Sequence, residues 1–191
     1  MGSPIDEVAT LFETYGSSTY DEGVTLGEHC LQAAAIASAA GSPDHLIAAA
    51  LLHDIGHLLQ ASARGEEDYL ANDWNHDVVA RDWLEPRFGE AVAAPVGEHV
   101  AAKRWLCFGE PDYFARLSEA SKASLRAQGG QFDEAEAARW HATSGAMEPI
   151  QLRRWDDEAK VPNLSVAPLT AYISLLERLV QQSDTTPVGH D

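Results

Sequence analysis

Positive charge is scarce in this chain. Thirteen Lys and Arg stand against thirty Asp and Glu, so the formal net charge is −17 at pH 7 with histidine neutral. A surface of that sign disfavours nucleic acid and anionic membrane, both of which want a basic face. An anionic small substrate would need a local positive pocket. Cysteine is equally sparse: Cys30 and Cys107 are far apart and form no CxxC, which excludes a disulfide framework and a structural zinc knuckle. No apolar run reaches membrane-spanning length, and the N-terminus has no signal-peptide core. The expected compartment is therefore a reducing cytoplasm, with neither nucleic acid nor membrane as partner. Alternating strand patterns are few, and no internal repeat appears.

What is present is helix. The 191 residues, 45% hydrophobic and 23% charged, have an ordinary globular composition and a length that predicts a single domain over 1–191. Thr25 and Glu28 form a capping box, after which His29, Ala33, Ile36, Ala37 and Ala40 line one face. Gly41 ends that helix. Ser42-Pro43 predicts the next start, with Ser as N-cap and Pro at the first helical position. Leu46, Ala50, His53 and His57 then share one stripe of a single helix. Further helices are predicted with His76, Val79, Ala80, Trp83 and Leu84 up to Gly89, and with His99, Ala102, Lys103 and Leu106. Others end at Gln128-Gly129-Gly130, cover 133–143, and run from Pro149 through Asp156. A last one carries Leu169, Ile173, Leu176 and Val180. The first few residues and the polar tail over about 182–191 are expected to be disordered. The fold class is all-α.

Four of these inward stripes carry a histidine. His29, His53, His76 and His99 are separated by 24, 23 and 23 residues, about one helix and turn each time. A buried unpaired imidazole costs free energy, and four helices with one each ask for a common cause. Metal binding supplies it, since neutral imidazole is the commonest protein ligand for transition metals. Asp54 follows His53 directly, and a carboxylate there can bridge two ions. His57 and Lys103 lie one turn after His53 and His99 and face the same place. They form the positive pocket that the acidic chain otherwise lacks, with Ser121, Ser124 and Gln128 as neutral hydrogen-bonding neighbours. Such a set suits a tetrahedral oxyanion. His45, His141 and His190 fall outside the pattern and are read as surface residues.

The arrangement resembles the HD-domain superfamily: His29 matches the leading His, His53-Asp54 the "HD", and Asp156 in "RRWDDEAK" the distal Asp. His76 and His99 match the two extra histidines of binuclear members. More narrowly, "YDEGVTLGEH" (20–29), "AALLHDIGH" (49–57), "WNHDVVARDWL" (74–84), "EHVAAKRWL" (98–106), "LSEASKASLRAQGG" (117–130) and "RRWDDEAK" (153–160) resemble the mixed-valent diiron oxygenases that cleave C–P bonds. "HVAAKR" together with "QGG" is the most specific part.

The resemblance implies an HD-domain helical bundle with a buried dimetal site holding two iron ions, Fe(II)/Fe(III), with O2 as co-substrate. His29, His53, Asp54, His76, His99 and Asp156 are the implied metal ligands, with Asp54 bridging. Tyr20, Glu22, His57, Lys103, Ser121, Ser124 and Gln128 are the implied substrate contacts, and His57 and Lys103 the implied catalytic groups. Tyr20 stands one residue closer to His29 than the family tyrosine does. The implied substrate is a small anionic organophosphonate, 2-amino-1-hydroxyethylphosphonate or an N-methylated analogue, converted to a carboxylic acid and phosphate. The alternative is a metal-dependent HD phosphohydrolase acting on a nucleotide or phosphate ester with the same ligands. A regulatory or metal-storage HD module is a third reading, disfavoured by the complete ligand set. The inositol-oxidising branch, which usually has lysine where His57 stands, ranks low.

Overall fold

A computed structural model of the chain describes residues 2–21, 23–64, 75–143 and 145–185. It is built from helices: α1 (Pro4–Tyr15), α2 (Leu26–Ala39), α3 (Asp44–Leu52), α4 (Ile55–Arg64), α5 (His76–Phe88), α6 (Glu90–Gly97), α7 (His99–Gly109), α8 (Tyr113–Arg116), α9 (Glu119–Ala127), α10 (Glu134–Thr143), α11 (Met147–Glu158) and α12 (Ile173–Thr185), with a 3-10 turn over Leu169–Tyr172 before α12. Strands β1 (Thr19–Asp21) and β2 (Val24–Thr25) form one small antiparallel hairpin ahead of α2. The all-α expectation holds. The predicted capping box is formed as well: Glu28 N–H donates to Thr25 Oγ1 and Thr25 N–H to Glu28.

Four expectations need correction. Any disorder at the start is short: Met1 lies outside the described residues, and α1 already begins at Pro4, with Ser3 accepting from Ile5 N–H. Pro at the first helical position is pre-set for helix, and Ser caps it. The predicted cap at Ser42 is shifted: Pro43, extended at ψ 157°, precedes the first helical residue, Asp44, and makes no side-chain cap. The single helix predicted through His53 and His57 is broken, because residues 53 and 54 form a turn between α3 and α4. Last, α6 was not foreseen. Gly89, at φ 83°, ends α5 and at once starts α6, a conformation that suits glycine. In the tail, α12 continues to Thr185, while residues 186–191 lie outside the described residues.

The main core joins α1 to α6 with α11 and α12; Leu26, Leu51, Leu52, Ile55, Leu58, Leu84, Leu152 and Leu176 are its largest fully buried apolar side chains. Two smaller clusters, around Phe132 and Trp140 and around Leu106, Tyr113 and Leu125, fasten α7 to α8, α9 and α10. Against the expectation that no apolar run reaches membrane-spanning length, Asp44–Ala63 is long and apolar enough to cross a bilayer, but 83% of its most apolar window is buried inside the protein. It is a core element. Its apolarity reflects burial on all sides.

One close approach places the site. A Cβ on Gly56 would lie 2.0 Å from the carbonyl oxygen of His76. Only glycine lets the start of α4 touch the start of α5, and this contact brings His76 to the turn that carries His53 and Asp54.

Candidate metal centre

Five segments deliver six buried side chains to one point. His29 comes from α2, His53 and Asp54 from the turn after α3, His76 and His99 from the first residues of α5 and α7, and Asp156 from α11. None of the six is more than 5% exposed. The break between α3 and α4 explains how adjacent His53 and Asp54 reach the same centre, which a regular helix would send about 100° apart.

The histidines arrive in a defined tautomer. His29, His53 and His99 each place Nδ1 on a backbone carbonyl, of Ala159 at 2.8 Å, Ala50 at 2.8 Å and Val96 at 2.7 Å. A carbonyl only accepts, so each Nδ1 carries the proton and the neutral ring leaves a lone pair on Nε2. Burial holds His53 below its ordinary pKa and pushes His99 down to about 3, which keeps both rings neutral. Yet His29 Nε2 and His53 Nε2 lie 3.0 Å apart, and His76 Nε2 and His99 Nε2 3.1 Å apart. Lone pairs this close repel unless a cation stands between them.

The carboxylates divide the centre in two. Asp54 Oδ2 is 3.6 Å from His29 Nε2 and 3.5 Å from His53 Nε2, while its Oδ1 is 3.6 Å from His76 Nε2 and 3.7 Å from His99 Nε2. Asp156 Oδ1 is 3.3 Å from His29 Nε2 and 4.0 Å from His53 Nε2. Asp54 Oδ2 and Asp156 Oδ1 are buried without a hydrogen-bond partner among the described residues. Burial alone would raise both pKa values, but His53, His57, His76 and His29 hold Asp54 well below the ordinary range, and Arg153, His29, His53 and Lys160 do the same for Asp156. Orphaned buried anions beside converging lone pairs fit a pair of cations. His29, His53 and Asp156 can hold one, His76 and His99 the other, with Asp54 between them. His57 also comes within reach of Asp54 and His76 as a ligand group.

Beside this centre is a cavity of about 80 Å³, lined among others by Tyr20, His57, Lys103, Ser121, Ser124 and Gln128. Every described residue expected to touch substrate therefore gathers there; Glu22 lies outside the described residues. Tyr20 stacks on His29 with ring centres 4.2 Å apart. Burial, and then the charges of Asp54 and Asp156, raise its phenol well above the ordinary value. His57 stacks on His76 at 4.1 Å. Lys103, only 3% exposed, donates to Ser124 Oγ at 2.9 Å. Gln128 Oε1 is buried without a hydrogen bond among the described residues, and Gly129 and Gly130, at φ 92° and 77°, turn the chain away just behind it.

Two residues of the cavity were missed from sequence. Lys160 Nζ donates to Ser121 Oγ at 2.8 Å, so two lysines address the two serines of α9. Arg153 Nη1 donates to Asp156 Oδ2 at 2.6 Å. Both lie within four positions of Asp156, and that spacing was the available signal. Of the remaining histidines, His45 bonds Glu148 at 3.1 Å and is partly exposed, and His141 is exposed; His190 lies outside the described residues.

Residues 26–186 match the HD domain. The chain belongs to the HD-domain family. Over 184 residues, covering 95% of this chain and 92% of the relative, this HD protein is 43% identical to the hydroxymethylphosphonate dioxygenase of Gimesia maris. It is 35% identical over 182 residues to the glycine-betaine-forming [1-hydroxy-2-(trimethylamino)ethyl]phosphonate dioxygenase of Leisingera caerulea, again covering 95% and 92%. An uncharacterized protein of Acanthamoeba polyphaga mimivirus is 33% identical over 94% of the chain and 83% of its own length. The resemblance read from the motifs stands: the named relatives are phosphonate dioxygenases, enzymes of the oxidoreductase class.

Proposed function

We propose that this HD-domain protein is a diiron oxygenase that uses O2 to break the C–P bond of a small 1-hydroxylated phosphonate, releasing a carboxylic acid and phosphate. The observation that carries this reading is the adjacency of two histidine pairs, joined by Asp54, to a small cavity faced by Lys103 and Lys160. His29, His53 and Asp156 would hold one iron and His76 and His99 the other, with Asp54 available to both. When bound, the irons would supply Lewis acidity toward the substrate's oxygens and the redox capacity to use O2.

The chain's own residues do the rest. Lys103 and His57 receive the phosphonate oxygens and offset the charge that develops as the phosphonyl group departs. Ser121, Ser124 and Gln128 complete its hydrogen bonds, and Lys160 adds a second ammonium through Ser121. Tyr20, set over His29, closes the side of the cavity toward the first metal position. Hydroxymethylphosphonate, named for the 43% identical relative, is the first substrate to test, ahead of the aminated compounds expected from the motifs. With it the balance is simple: substrate plus O2 gives formate and phosphate. The two unpaired buried cysteines suit a reducing cytoplasm.

The test compares phosphate release in air and under argon, with oxygen uptake recorded, for hydroxymethylphosphonate, 2-amino-1-hydroxyethylphosphonate and its trimethylammonio analogue. Phosphate release matched by oxygen uptake is expected. No oxygen-dependent release from any of the three, with phosphate freed under argon from a phosphate ester such as p-nitrophenyl phosphate, would instead favour the phosphohydrolase alternative.

A further inference from the structure

The side of Asp156 that faces away from the metal positions is held by a buried network that the reading above does not use. Asp156 Oδ2 accepts from Arg153 Nη1 at 2.6 Å, while Oδ1 is left for the centre. Arg153 is itself 4% exposed. Its Nε donates to Tyr113 Oη at 3.2 Å, its Nη2 to Asp157, and Tyr113 Oη donates to the other oxygen of Asp157. The guanidinium is thus fixed on its far side by α8 and by the next residue of α11, and on its near side it occupies one oxygen of a metal-facing carboxylate.

We infer that Arg153, braced by Tyr113 and Asp157, is a positioning residue that makes Asp156 a one-oxygen ligand to the ion shared with His29 and His53. The inference rests on the dimetal reading of the site. A carboxylate has two equivalent oxygens and can chelate one ion with both or rotate away from it. Arginine prevents both by taking one oxygen in a planar, charge-assisted hydrogen bond. Lysine could not do this equally well, because its ammonium is a point charge without a fixed fork. Among the described residues the second ion position has no such carboxylate, so the effect is confined to one half of the centre. Partners of metal ligands typically change metal affinity about 10–100-fold when removed.

The experiment uses Fe(II) binding under anaerobic conditions to the full chain in two backgrounds. H99A leaves only the position of His29, His53 and Asp156 intact; H29A leaves only that of His76 and His99. Adding R153Q to H99A is expected to weaken Fe(II) about 10–100-fold, and adding it to H29A to change nothing. The milder Y113F should weaken binding several-fold in the H99A background alone. Equal weakening in both backgrounds, or loss of the helical signal with R153Q, would mean that Arg153 merely supports the fold, and the inference falls. Unchanged affinity in H99A overturns it as well. Failure of the parent chain to bind two ions would sink the dimetal reading itself, a separate result.

Discussion

Each of His29, His53 and His99 donates Nδ1–H to a main-chain carbonyl, and that choice decides the chemistry at the other nitrogen. The ring is held neutral, its lone pair is aimed inward, and the cost of an unpaired buried imidazole is removed once an ion arrives. Accordingly, His53→Ala should lose the first ion, and Asp54→Ala should lose both, measured as iron per chain after anaerobic loading. Unchanged content would remove the ligand assignment. Lys103 and Lys160 make a different prediction, because they face the cavity rather than the ions. Lys103→Ala should raise KM for the phosphonate roughly 10–100-fold, about the value of a hydrogen bond to a charged group, with iron retained. Lys160→Met should act in the same direction by roughly tenfold. Loss of iron in either variant would show that the lysine supports the centre instead.

At the level of the element, the site depends on where helices begin and end. His76 and His99 are the first residues of α5 and α7 and His53 is the first residue after α3, so rings and carboxylates converge from helix ends. The close approach at Gly56 can be tested directly. Gly56→Ala places a Cβ against the His76 carbonyl and should destabilise the protein by about 1–3 kcal/mol, as overpacking does. It should also weaken the ion at His76 and His99. Full stability in denaturant would contradict the contact. The helical periodicity exposed the stripes and the histidine interval, so the converging histidines of α2, α5 and α7 were legible in sequence, and the motif resemblance supplied Asp156. The turn at His53 and Asp54 was not legible, because an unbroken apolar stripe gives no local sign of a break. Nor was α6: its short apolar run, EAVAAPVG, carries Pro95 and lacks a polar face. Arg153 and Lys160, marked in sequence only by their spacing from Asp156, find their partners Tyr113 and Ser121 once α11 is laid beside α8 and α9.

Across the whole molecule, a chain of charge −17 gathers Lys103, Lys160 and Arg153 around one small cavity. This reconciles an acidic surface with the anionic substrate proposed above. The same burial sets the response to pH. His99, pushed to about 3, and His53, also lowered, stay neutral in the fold while the unfolded chain takes up protons below about 6.5. Between those values the unfolded state binds more protons, so stability of the metal-free protein rises with pH. Each such group contributes up to about 1.4 kcal/mol per pH unit in that window. The melting temperature of the metal-free protein should therefore fall steadily from pH 7 to pH 5, and a flat profile would mean that the rings are not buried neutral. The most direct test of the central claim is metal analysis joined to EPR on the iron-loaded, partly oxidised protein. The account predicts about two irons per chain and the half-integer-spin signal of a coupled Fe(II)/Fe(III) pair. A single tightly bound iron, or two irons without magnetic coupling, would contradict it.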